Sequence, residues 1–283
     1  KRLMNKFFLF FIVLITSCSH LPLIEKTSYC SFPAHKPYPG GIVNYRFMVS
    51  DIDLEKKLIT EGLKYEVCRD NSSSINLLIP IPLSFEKEQL KISLSDELIS
   101  SIDIENRFYR ESRITIKNQD LVKPPDSMQK RIKEEYIKGI ALKNVFTDQN
   151  LKGREMIIPV TGIKSSEFGV RRYINGQPRN RHTGLDIAAD EGVSVIAPLS
   201  GIVILADNFF YKGNVIYIDH GNGLITSYSH LSKKMVTLGQ SVSKGQTLGF
   251  VGSTGRVTGP HLHWEVFFLG IPVNPEIFVK EEI

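Results

Sequence analysis

Thr258-Gly259-Pro260-His261-Leu262-His263-Trp264-Glu265 decides more about this chain than any other stretch of its 283 residues. In a β-strand, residues i and i+2 face the same way. A strand over 261–268 therefore turns His261 and His263 together into one cleft and sends Leu262 and Trp264 into a core. Short strands of the same kind are predicted upstream, at 193–198, 201–205, 214–219, 224–229 and 247–251, in a glycine-rich region that begins near Ile157. His220-Gly221-Asn222-Gly223 reads as a hairpin turn between two of them, because glycine reaches positive φ at little cost. His220 belongs to that turn and is left out of the candidate site.

Four histidines and one aspartate of this region form a second pattern: His182-x-x-x-Asp186, then His230, then His261-x-His263. Thr183-Gly184 within the first motif argues for a bend rather than a helical face. An isolated HxH or HxxxD says little, but together they supply enough donors for a divalent metal with groups left over to move protons. Two imidazoles and one carboxylate leave a fourth zinc position open, the pattern of a catalytic site. Spacing alone would also allow Fe(II) or Mn(II).

The rest of the chain sets the context. Lys1, Arg2 and Lys6 precede an apolar run and Thr16-Ser17-Cys18. Residues 1–17 thus read as a secretory signal, too short in its apolar part to span a bilayer. Ile15-Thr16-Ser17-Cys18 resembles a bacterial lipobox, which would place a lipid on Cys18 and the protein in the periplasm or cell envelope, anchored to a membrane. Cys30 and Cys68 then remain as a candidate disulfide in an oxidising compartment. Residues 18–41, rich in proline, read as a tether.

Residues 42–120 alternate apolar and polar positions in short runs, as a small β-sandwich-like domain would. Pro80 and Pro82 place their run at an edge or end of a sheet. Residues 121–156 contain a helical connector, with Met128, Ile132, Tyr136 and Ile140 as its apolar stripe and Asp126 or Ser127 as its cap. The net charge of +5, from 35 basic and 30 acidic residues spread along the chain, excludes the concentrated basic face of a nucleic-acid binder. The fold class is mostly β: a small β-sandwich-like domain, the helical connector, and an antiparallel sheet domain over 157–283.

Residues 157–275 resemble the M23 (LytM/lysostaphin-type) zinc metallopeptidases. The likeness runs through Ser166-Glu167-Phe168-Gly169-Val170-Arg171-Arg172, His182-Thr183-Gly184-Leu185-Asp186, Ala197-Pro198 with Gly201, Asp219-His220-Gly221, Tyr228-Ser229-His230-Leu231, and 258–265. It implies a LytM-type sheet related to the duplicated hybrid motif, with His182, Asp186 and His263 as ligands of one Zn2+ and His230 and His261 as the catalytic pair. The likeness further implies hydrolysis of peptide cross-bridges in peptidoglycan, with peptide stems as partners and intramolecular inhibition by the N-terminal domain as a family device. Tyr228 has two readings, oxyanion support or packing. Arg171, Arg172, Arg179 and Arg181 also have two, contact with stem carboxylates or a solvated loop face. The alternative function is a non-catalytic, wall-binding or hydrolase-activating lipoprotein, as in relatives that lack ligands; here every family position is filled.

Overall fold

A computed structural model describes residues 30, 32–48, 57–69, 73–95, 97–117, 120, 122–148 and 153–280. The signal segment, Cys18 and the first part of the tether lie outside the described residues. Among the described residues seven strands precede the helix: β1 (Ile42–Met48), β2 (Leu58–Ile59), β3 (Glu66–Arg69), β4 (Ser74–Pro80), β5 (Gln89–Leu94), β6 (Glu97–Asp103) and β7 (Glu111–Ile114). After α1 (Asp126–Lys143) come β8 (Ile163–Ser166), β9 (Arg171–Ile174), β10 (Gln177–Pro178), β11 (Leu185–Ala188) and β12 (Ser194–Ile196). β13 (Gly201–Phe209), β14 (Gly213–Asp219), β15 (Leu224–Leu231) and β16 (Lys233–Lys234) follow. The last are β17 (Ser241–Val242), β18 (Thr247–Phe250), β19 (His261–Phe268) and β20 (Ile271–Val273).

The first unit is a sandwich of two three-stranded antiparallel sheets, ordered β1-β4-β3 and β2-β5-β6. Val43, Phe47, Leu77 and Ile79 of one sheet meet Leu90, Ile92 and Ile102 of the other in a buried core. β4 is the central strand of its sheet, and Pro80 is its last residue, opposite Ile42, where the missing N–H costs least.

Residues 111–114 depart from the sequence grouping. Rather than closing the sandwich, β7 pairs in parallel with β9 of the second unit, Glu111 opposite Arg171 through Ile114 opposite Ile174. The second half of the supposed tether is also built in. Tyr38 is buried, the Gly40 carbonyl accepts from the Asn274 N–H at 2.8 Å, and a Cys30–Cys68 disulfide ties the segment to β3.

The large antiparallel sheet runs β17-β13-β14-β15-β19-β11-β8, with β20 added beside β19. One face carries Leu185, Ile187, Leu262, Trp264, Val266 and Tyr228 into a core completed by the sheet β12-β18-β16. Cys30, Tyr38, Ile42, Cys68 and Leu78 of the first unit join the same cluster, so the two units share one apolar interior. On the opposite face, Phe267, Tyr217 and Phe209 pack beneath Leu142 and Val145 at the end of α1.

The helix forms where expected, but its packing face is turned from the expected stripe. Tyr136 and Ile140 are exposed, while Ile132, Glu135, Gly139 and Leu142 face inward or partly so. Polar contacts set this rotation: Arg131 donates to the Asn208 carbonyl at 3.0 Å, Lys138 pairs with Asp207 at 2.8 Å, and the Phe210 N–H donates to Glu135 at 2.7 Å. Neither Asp126 nor Ser127 caps it; Pro125 occupies the N-cap without a side-chain bond. Among the described residues no helix is long and apolar enough to cross a membrane.

Candidate active site

β19 projects His261, His263 and Glu265 from one face and Leu262, Trp264 and Val266 from the other, as period two requires. β11 lies beside it with Asp186 opposite His263 and Ala188 opposite His261. His182 sits on the bend before β11, held by backbone bonds on both sides: its N–H donates to the Val170 carbonyl at 2.9 Å and its carbonyl accepts from the Gly169 N–H at 2.8 Å. The bend needs Gly184, because a Cβ there would lie 2.5 Å from the Trp264 carbonyl oxygen.

These strands bring three donor atoms together. His182 Nε2 lies 3.0 Å from Asp186 Oδ1 and 3.0 Å from His263 Nδ1, and the last two atoms are 2.7 Å apart. All three residues are buried. His182 Nδ1–H donates to the Glu167 carbonyl at 2.7 Å, which leaves the Nε2 lone pair facing the other donors. Ligands of a tetrahedral zinc with bonds near 2.0 Å lie about 3.3 Å apart. The observed triangle fits one face of such a tetrahedron.

Charges around the triangle support a cation. Burial alone would raise the Asp186 carboxyl, but hydrogen bonds and charge from His182 and His263 hold it well below its usual range. Burial lowers His182, whereas for His263 the nearby Glu265 and Asp186 outweigh burial and raise it. Arg172 donates to the second oxygen of Asp186, Oδ2, at 2.5 Å, so that Oδ1 is the carboxylate oxygen facing the two imidazoles.

His230 reaches the same face by a different device. On β15, Tyr228 stands opposite Trp264 and Ser229 opposite His263, so alternation alone would put His230 on the core side with Tyr228. Against β14, however, Tyr228 pairs with Ile216 and Leu231 with Asn214, so two residues are fitted opposite one. That is a β-bulge, which re-aims a side chain. His230 takes φ 67°, its N–H donates to the Lys212 carbonyl at 2.8 Å, and its ring swings to 4.9 Å from that of His261. Leu231 then returns to the core.

Both remaining imidazoles have defined tautomers. His230 Nδ1–H donates to the Thr254 carbonyl at 2.8 Å and His261 Nδ1–H to the Gly259 carbonyl at 2.9 Å. Each therefore turns a bare Nε2 towards the cleft; that of His261 lies 3.9 Å from Asp186 Oδ1. Burial pushes His230 well below its ordinary value, helped by His263 and His261, and lowers His261 against the opposing charge of Asp186. Two neutral bases beside three donors able to hold a metal can accept protons from water during hydrolysis.

All five residues singled out by the motifs thus meet in one place. Tyr228 does not join them. It is fully buried, and its hydroxyl bonds Thr226, which bonds Nε2 of His220; packing is its role. His220 is likewise interior, with Nδ1–H on the Ser200 carbonyl. The arginines divide: Arg172 holds Asp186, Arg179 and Arg181 line the cleft with Arg256, and Arg171 lines a second cavity, beside Tyr109. Sequence reading gave no role to Glu265, although it is the third inward position of the alternation that placed His261 and His263.

Residues 180–275 match Peptidase family M23. A crystal structure from Pseudomonas aeruginosa, described as a peptidase M23, superposes with a TM-score of 0.66 and 30% identity, covering 89% of this chain and 98% of that one.

The chain belongs to peptidase family M23.

Among its relatives, the peptidoglycan DD-endopeptidase ShyA of Vibrio cholerae is 50% identical over 111 residues, which are 39% of this chain and 26% of that protein. An uncharacterized metalloprotease of Buchnera aphidicola is 27% identical over 259 residues, 89% of this chain and 66% of its own length. This M23 chain thus spans about a quarter of the length of ShyA.

Proposed function

We propose that this protein is a zinc-dependent endopeptidase that hydrolyses peptide cross-bridges of bacterial peptidoglycan. The observation that carries the reading is the convergence of three donor atoms and two bare imidazole nitrogens on one face of β11, β15 and β19. His182 Nε2, Asp186 Oδ1 and His263 Nδ1 would hold the metal. When bound, zinc supplies Lewis acidity, polarising a scissile carbonyl and bringing the pKa of water to about 7. His261 takes the proton from the attacking water and returns it to the departing amine, while Nε2 of His230 accepts from the water's other hydrogen and aims it.

The substrate class rests on the M23 likeness, the name of the ShyA relative and the charge of the cleft. Arg179, Arg181, Arg256 and Lys143 line a cavity of about 740 Å³ that also holds His182 and His263 in its wall. That is a complement to the carboxylates of peptide stems. The exported, lipid-anchored setting on Cys18 agrees with a wall substrate, and the mass of the mature N-terminal peptide tests it. A non-catalytic wall-binding or activating role loses support from the complete set of ligands and bases.

Incubation with purified sacculi, with products identified by mass, tests the activity. Cross-bridge cleavage by the unaltered chain, none by His263→Ala and about 10²–10⁴-fold less by His230→Ala is the expected result; sacculi left intact after zinc loading by both the unaltered chain and Asn175→Gly would refute the reading.

Intramolecular restraint also has a specific observation behind it. Ile114 and Ile116, which lead from the first unit, line the cleft on both sides of Arg172. The backbone of Ile116 is pinned by the side chain of Asn175 at 2.9 and 3.1 Å. Loosening this crossing with Asn175→Gly should raise cleavage of sacculi if it restrains the site.

A further inference from the structure

We propose that Glu265, held by Lys212, Thr183 and Ser227, is the positioning residue of the metal centre, fixing His263 with its Nε2–H turned away and its Nδ1 lone pair turned to the metal. The inference rests on the metal site described above and adds a residue to it.

Glu265 is the next inward position of β19 after His263 and is 2% exposed. Oε1 accepts from Thr183 Oγ1 at 2.7 Å and lies 3.5 Å from His263 Nε2. Oε2 accepts from Ser227 Oγ at 2.6 Å and from Lys212 Nζ. With both oxygens engaged, the carboxylate cannot swing away from the imidazole. Its donors come from three separate segments: the bend that carries His182, the strand that carries His230, and the turn before β14.

A neutral imidazole has one lone pair, and the group facing one nitrogen decides which nitrogen keeps it. An anion opposite Nε2 favours the Nε2–H tautomer. The lone pair then sits on Nδ1, the atom found 2.7 Å from Asp186 Oδ1 and 3.0 Å from His182 Nε2. The other tautomer would point an N–H at the metal. Lys212 has a second task, because its carbonyl accepts the His230 N–H. One residue thereby connects the carboxylate behind the ligand with the bulge that aims the catalytic histidine.

The test uses the full chain, with zinc affinity measured by chelator competition, visible absorption of the cobalt-loaded protein, and circular dichroism as a check of the fold. Replacing the pair by similar apolar shapes, E265M with K212M, removes both charges together and the acceptor behind His263. Groups that hydrogen-bond a metal-binding imidazole from behind are worth about 10–100-fold in metal affinity, so that loss is expected, with shifted cobalt bands and unaltered dichroism. E265Q with K212M restores an amide oxygen able to accept from Nε2–H and should recover most of the affinity. A folded E265M/K212M chain that binds zinc within about twofold of the original overturns the proposal.

If both double variants fail to fold, T183V decides, since it removes a single bond to Oε1 and leaves every charge in place. A loss of about threefold or more supports the proposal, and unchanged affinity overturns it. Absence of zinc binding by the unaltered chain would sink the metal reading together with this one; equal binding by chain and variant sinks only this one.

Discussion

A Cβ on Gly184 would meet the Trp264 carbonyl oxygen at 2.5 Å and His263 Cε1 at 2.8 Å. The first obstacle is backbone of the neighbouring strand and the second is the buried ring proposed to hold the metal, so neither can yield cheaply. Gly184→Ala should therefore cost about 1–3 kcal/mol, as overpacking does. It should also weaken zinc binding, seen in the unfolding midpoint and in metal stoichiometry after dialysis. His230 poses the opposite case, a residue whose own backbone is unfavourable. At φ 67° an L-residue other than glycine pays about 1 kcal/mol or more. His230→Gly should accordingly be more stable than His230→Ala by roughly that amount, while both lose about 10²–10⁴-fold in turnover. Equal midpoints for the two variants would show that the bulge carries no strain.

β19 is the element whose behaviour was most legible in the sequence. Period two alone placed His261 and His263 on one face and Leu262 and Trp264 on the other, and the structure agrees. The bulge in β15 was not legible, because its causes are distant in sequence: the Lys212 and Thr254 carbonyls lie 18 and 24 positions from His230. α1 was legible in extent but not in orientation. Ion pairs and hydrogen bonds to β13, rather than apolar spacing, fix which side faces the sheet.

The turn between β14 and β15 carries a further consequence. His220 is buried with both nitrogens engaged, and burial lowers its pKa to about 4. The folded state therefore binds a proton less readily than the unfolded chain, whose histidine titrates near 6.5. Its contribution is fully present above about pH 6.5 and falls as pH drops towards 4, by about 3 kcal/mol in all. Urea unfolding of the chain and of His220→Gln at pH 7 and pH 4 isolates this part, since other groups cancel in the difference. A difference that does not change with pH would contradict it.

Across the whole molecule, the two units are joined through their interiors. Arg154 is 1% exposed and binds Glu66 Oε1 of β3 at 2.5 Å, beside the disulfide sulfur of Cys68. Asn222, in the β14–β15 turn, donates to the same oxygen at 3.3 Å. Burial raises the Glu66 carboxyl against the charge of Arg154, so the carboxylate depends on its partner to stay ionised. Removing one member of such a pair costs about 3–5 kcal/mol, because the other is left uncompensated, whereas replacing both by apolar residues is often neutral. Arg154→Met should thus destabilise the chain by that amount, and Arg154→Met with Glu66→Leu should recover most of it. Because the shared cluster runs from Cys30 and Leu78 to Trp264, the loss should appear as one cooperative transition of both units. Two separated transitions, with the unit that carries the five-residue cluster melting at its original temperature, would show instead that the sandwich is an independent attachment and that the cluster does not draw stability from it.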